Sequence, residues 1–189
     1  VHPSLGYHSR MTTIPGDTMA YKFALNNESL KRKFAVYVVV AKGKADTKIY
    51  VGKTGDNRDG CNPVISRCGN HFSYNNVHSQ IRNMIPDHKD HEYTYIFEHF
   101  DDYYEDIEKR RTAVDRINEM ERWLNQQVQL AVNGLKNCKL LNPYKGRAAV
   151  SAAERQKRQE FRTKENEQKI DAIVKCMLSE INKSNKVPA

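Results

Sequence analysis

The chain has 189 residues, of which 39% are hydrophobic, with 31 Lys/Arg against 23 Asp/Glu and a formal charge of +8. That length suits one domain with an appendage, and the composition is too apolar for a disordered chain. No apolar run approaches the ~20 residues of a membrane helix, and no secretory signal is legible.

The charge is uneven. From Pro143 to Ala189 there are 11 basic and 6 acidic residues, a balance of +5. A basic face of this kind points to a polyanionic partner. The cysteines, Cys61, Cys68, Cys138 and Cys176, include no Cys-x-x-Cys pair. Their spacing does not suggest a disulfide framework or a zinc finger. Cys61-x6-Cys68-x2-His71 has metal-ligating residue types at loose spacing. Reduced thiols in a cytoplasmic protein are the expectation.

In chain order, residues 1–33 are polar, with turn signals "IPGD" and "NNES", and read as a loose arm with one short helix. "FAVYVVVA" (34–41) is a β-branched run bounded by Gly43 and reads as a buried strand. "KADTKIYVGK" supplies a turn and a second strand near 47–53, making an antiparallel hairpin. After a loop at 54–62, Pro63 opens a short helix that ends near Gly69. "NNVHSQIRNMI" (75–85) sets Val77, Ile81, Met84 and Ile85 at helical spacing, and Pro86 stops it. "EYTYIFEHF" (92–100) alternates as a third strand, with Tyr93, Tyr95 and Phe97 on one side.

Asp102 and Glu105 fit a capping box for a long helix over about 103–133. Its stripe is Val114, Ile117, Met120, Leu124, Val128 and Val132. "NGLKNCKLLNP" then leads into a loop containing Asn142. Beyond it, a polar stretch and an apolar face at Ile170, Ile173, Val174, Met177 and Ile181 read as one long helix. That face is expected to pack on the domain or on a second subunit.

Gly52-Lys53-Thr54 imitates part of a phosphate-binding loop. A Walker A loop needs a glycine five residues before Gly52, where this chain has Thr47. The triplet also ends a strand instead of following one, so a nucleotide-cradling loop is excluded.

Three pieces occur in order: "VYV" with Tyr37, "YVG" with Tyr50 and Gly52, and a helix with Arg67. This order resembles the GIY-YIG endonuclease superfamily over roughly residues 34–143. The fuller "YVGKTG…NPVISRCGNHF" is most similar to its restriction-enzyme branch, in which a histidine follows the arginine by one turn, as His71 follows Arg67. Val36 stands where the name-giving motif has glycine.

The resemblance implies an α/β fold of α+β type, with a three-stranded antiparallel sheet flanked by helices. The N-terminal arm (1–33) and a basic helical extension (144–189) lie outside it. It also implies a glutamate on a later helix that binds one divalent metal, Mg²⁺ or Mn²⁺. Helical geometry separates two candidates. With Ile117 at zero and ~100° per residue, the apolar stripe spans about −60° to +60°. Glu121 falls near +40° and faces the sheet, whereas Glu119 falls near 200° and faces water. Glu121 is therefore the expected ligand.

The site implied by the resemblance is Tyr37, Tyr50, Lys53, Arg67, His71, Glu121 and Asn142. Arg67 holds a phosphate oxygen with its planar fork. A tyrosine takes a proton from water, Tyr37 in the favoured order and Tyr50 in the other. A phenol near pKa 10 needs lowering by Lys53, Arg67, His71 or the metal.

The implied function is metal-dependent hydrolysis of double-stranded DNA, site-specific as in restriction, by a bacterial or phage-encoded chain. A phage or defence nicking or non-specific nuclease, and an inactive nucleic-acid-binding protein, are the alternatives. Cutting both strands with one site per chain suggests a homodimer.

Other residues carry simpler expectations. The acidic cluster Glu98, Asp101, Asp102, Glu105, Asp106 and Glu108 suits a helix N-terminus. His88, His91 and His99 are expected at the surface. Lys42, Lys44, Lys48 and Arg58 are candidates to touch phosphates.

Overall fold

The computed structural model describes residues 20–55, 61–146 and 151–183. Its sheet has four strands: β1 (Lys33–Lys42), β2 (Thr47–Lys53), β3 (Glu92–Asp102) and β4 (Cys138–Leu140). The order across the sheet is β3-β1-β2-β4. The first three strands pair antiparallel, as expected. The fourth is an addition: residues expected in a loop form a short strand parallel to β2. Three residues of a strand are too few to show a period in sequence. They are held by pairing with the β2 edge.

β1 is central, and Phe34 to Ala41 are all buried. A strand paired on both edges and covered on both faces needs this near-continuous apolar run. On one face Phe34, Val36, Val38 and Val40 join Ile49 and Val51. They meet α3 (Ile107–Val132) and α5 (Lys164–Lys183) in the main core. On the other face Tyr37, Val39 and Ala41 pack with Ile81 and Ile85. This second layer contains α1 (Val64–Phe72) and α2 (Gln80–Met84). The period-2 alternation of a strand sends the tyrosines of β1, β2 and β3 to this α1/α2 face.

Several boundaries moved. α1 runs through Gly69 and ends at Ser73. α2 begins only at Gln80, because Asn75 and Ser79 tie the preceding segment into a turn. Val77, expected on the apolar face, is exposed. β3 runs on to Asp102, pairing with Lys33, so the long helix starts later. Its N-cap is Asp106, whose side chain accepts from Lys109 N at 2.8 Å.

The expected single C-terminal helix is two, α4 (Ala152–Glu160) and α5. Asn166 marks the joint, donating from Nδ2 to the Phe161 carbonyl at 2.8 Å. The apolar face of α5, with Ile170, Ile173, Met177 and Ile181, is buried in the same core as β1 and α3. It packs on the domain itself, so that face is not left for a second subunit. Among the described residues, no helix is long and apolar enough to cross a membrane.

Candidate active site

β1 places Tyr37 directly across from Gly52 of β2. The tyrosine ring lies over the glycine, and a Cβ there would stand 2.6 Å from Tyr37 Cζ. The glycine of "YVG" is thus a clearance for the other strand's ring. Tyr37 is fully buried, and its hydroxyl is 3.1 Å from His71 Nε2. His71 Nδ1 is 2.9 Å from the Tyr95 hydroxyl. Tyr50 meets the His71 ring edge-on, with centroids 5.2 Å apart.

Arg67 lies one turn before His71 on α1, so both side chains share a face of that helix. Its positive charge acts on Tyr37, Tyr50 and His71. Burial holds the His71 imidazole down at about 4, with the Arg67 charge pushing the same way. The ring is therefore neutral near pH 7, donating through one nitrogen and accepting through the other. Burial pushes Tyr50 up to about 12, and the Glu121 charge adds to this against the pull of Arg67. Burial likewise holds Tyr37 and Tyr95 well above the ordinary phenol value. The expectation that neighbours lower the tyrosines is thus reversed in the free protein, because desolvation outweighs Arg67.

The two tyrosines differ in exposure. Tyr37 is sealed from water and occupied by His71, whereas Tyr50 is only half-buried. Of the two, only Tyr50 keeps partial exposure.

At the end of β2, Lys53 Nζ donates to Glu121 Oε2 at 2.8 Å. Both side chains keep partial exposure, 20% and 30%. The Glu121 charge adds to the upward shift of Tyr37 and Tyr50, while its hydrogen-bond partner is Lys53.

Asn142 acts as a clamp. Its Oδ1 accepts from Val51 N at 3.1 Å and its Nδ2 donates to Val51 O at 2.7 Å. The side chain imitates a strand partner and extends the β2–β4 pairing. This makes Asn142 a positioning residue for the strand that carries Tyr50, Gly52 and Lys53.

Glu119 corrects an expectation. It is buried, with 1% exposure. Arg162 donates to its Oε1 from Nε at 2.9 Å and Nη2 at 2.7 Å, and Arg122 pairs with its Oε2. The far side of α3 at Glu119 meets not water but the Phe161–Thr163 joint, which delivers Arg162.

Two participants were not singled out in sequence. Tyr95 completes the hydroxyl–imidazole–hydroxyl chain. Its signal was already present in the alternation of β3. Asn125 lies one turn beyond Glu121 and is buried. It donates to the Asn142 carbonyl at 2.8 Å and accepts from Tyr144 N at 2.8 Å. An asparagine near the edge of an apolar helix stripe was its only signal.

A cleft of about 980 Å³ opens beside Glu121, between α3, α4 and the segment after β4. Arg122, Lys139, Lys145, Lys157 and Arg158 contribute to its walls. Tyr37, Tyr50, Arg67 and His71 are outside its lining. Lys42 and Lys48 are engaged in pairs with Glu180 and with Asp46 and Asp87, at the far end of the hairpin from Lys53. Arg58 lies outside the described residues.

His91 is buried against Lys48 and the Asp87 carbonyl instead of lying at the surface. Within the acidic cluster, Asp101 pairs with Arg116, Asp102 with Lys33 and Glu108 with Arg111. Among the described residues, no group of three ligating side chains forms a metal cluster. The partly exposed Glu121 carboxylate, which lines the cleft and pairs with Lys53, is of a donor type that suits Mg²⁺. That ion commonly takes one or two carboxylates and keeps several waters.

No protein-family model, curated protein or solved structure matches the chain. A functional reading therefore rests on its own residues.

Proposed function

We propose that the chain is a metal-dependent endonuclease that hydrolyses phosphodiester bonds in double-stranded DNA, of the GIY-YIG type and site-specific as in restriction. The observation that carries this reading is the grouping of Tyr37, Tyr50, Arg67 and His71 on one sheet face, with Glu121 within electrostatic reach.

Glu121 would hold Mg²⁺ or Mn²⁺, which when bound supplies Lewis-acid stabilisation of charge at the phosphate and the leaving oxygen. Arg67 binds a non-bridging phosphate oxygen through its planar guanidinium. Lys53, paired with Glu121, adds positive charge beside the phosphate and holds the carboxylate in place. Tyr50 orients the attacking water and accepts its proton as phenolate. With its proton held up to about 12 in the free protein, this step depends on the cationic surroundings of the assembled site. Tyr37, His71 and Tyr95 fix the orientation of the aromatic group by hydrogen bonds and ring contacts.

The test is cleavage of supercoiled plasmid with Mg²⁺ and with Mn²⁺, beside Arg67→Ala and Glu121→Gln. Discrete fragments from the wild type, lost in both variants, are expected. Smears or nicks lost in both variants would keep the chemistry and remove the site-specific reading. Absence of cutting by the wild type on varied DNA would reject the nuclease reading.

A further inference from the structure

Two residues past α1, the protein displays an aromatic ring largely to solvent. Tyr74 is 83% exposed and Val77 is 73% exposed. Both stand on the loop between α1 and α2. That loop is built to hold its shape. Ser79, fully buried, places its hydroxyl against the carbonyls of Ser73 and Asn75. Asn75 Oδ1 accepts from Val77 N at 3.0 Å. Asn83 Nδ2 donates to the Asn76 carbonyl at 2.8 Å, and Arg82 donates to Asn76 Oδ1 at 2.8 Å. The Arg82 guanidinium also lies 4.9 Å from the centre of the Tyr74 ring. An apolar pair kept at the tip of a pre-ordered loop costs little further entropy when it meets a partner.

Charge and position say what that partner is. No acidic residue occurs between Asp59 and Asp87, while Arg67 and Arg82 both fall there. A polyanion can therefore approach this segment without repulsion from its carboxylates. At ~1.5 Å rise per residue, α1 ends roughly 8 Å beyond Arg67, or about two nucleotides at ~3.4 Å each.

We infer that the α1–α2 loop is a base-contacting element, in which Tyr74 stacks on a nucleobase of the strand whose phosphate Arg67 holds. Val77 packs beside that base, and Arg82 supports the ring from behind. This rests on the nuclease reading. It adds a contact to the base that phosphate binding alone does not provide.

The experiment is equilibrium binding of full-length protein to fluorescein-labelled duplex and single-stranded DNA, by anisotropy without divalent metal. Wild type, Tyr74→Ala and Tyr74→Phe are compared over a salt series, with melting temperature and light scattering as controls. Tyr74→Ala is expected to weaken binding by about 10-fold with an unchanged salt slope, and Tyr74→Phe to restore it. The melting temperature should not move, since the side chain is exposed.

Wild-type affinity in Tyr74→Ala would overturn the inference and leave the nuclease reading standing. So would a loss that appears only as a reduced salt slope. An oligomer that Tyr74→Ala dissociates would make this a self-association surface and overturn the inference as well. A wild type that binds no DNA would reject both readings.

Discussion

Gly52 and Tyr37 share one space, and neither side chain has room to change. Gly52→Ala would push a methyl group into the ring, 2.6 Å from Tyr37 Cζ. Overpacking of this kind costs about 1–3 kcal/mol. Chemical denaturation should show that loss for Gly52→Ala. Combined with Tyr37→Ala, the total loss should be smaller than the sum of the two single losses, because the two sites couple. Strict additivity would mean that the ring does not press on the glycine.

His71 gives the pH dependence. Its folded value of about 4 lies below the ordinary 6.5, so the fold prefers the neutral ring. This contribution is fully present above pH 6.5. It is lost as pH falls, and levels off below about pH 4. Between pH 7.5 and pH 5 the wild type should lose about 2 kcal/mol that His71→Gln does not lose. Parallel stability–pH curves for the two proteins would refute the buried neutral imidazole.

At the scale of elements, the joint between α4 and α5 bears directly on the helix that carries Glu121. Arg162 reaches back to the buried Glu119 and lies over Trp123 at 5.1 Å. Removing one partner of a buried ion pair leaves a charge without compensation, at a cost of about 3–5 kcal/mol. Arg162→Ala should approach that loss in denaturant, softened by the remaining Arg122. Arg162→Ala combined with Glu119→Gln should be less unstable than Arg162→Ala alone. Glu119→Gln should also retain plasmid cleavage, whereas Glu121→Gln should abolish it. Equal loss of cutting in the two glutamine variants would erase the distinction between a structural and a reacting carboxylate.

Over the whole molecule, the sheet is enclosed by α1 and α2 on one side and by α3 and α5 on the other. α5 supplies Ile170, Ile173, Met177 and Ile181 to the main core. A chain ending before Ser151 would expose the β1 and α3 surface that those residues cover. It should be insoluble or unfold without cooperativity, as read by thermal denaturation. A soluble 1–150 fragment with a sharp transition would show that the C-terminal helices are dispensable for folding.

The sequence alone determined the three antiparallel strands and both tyrosine positions. It also determined the short helix with Arg67, though not its run past Gly69 to His71, and the long helix with Glu121. Each follows from a local rule: β-branched alternation, a proline at a helix start, or a 3.6-residue stripe. Only the tertiary structure decided the surroundings of these groups. It sealed Tyr37 and left Tyr50 partly exposed, and desolvation raised both phenols and kept His71 neutral. Asn142 became a strand-edge clamp, and Glu119 was buried by an arginine 43 positions away. Strand edges, the far side of a helix and local dielectric depend on which distant segments arrive. A helical wheel or a motif spacing does not carry that information.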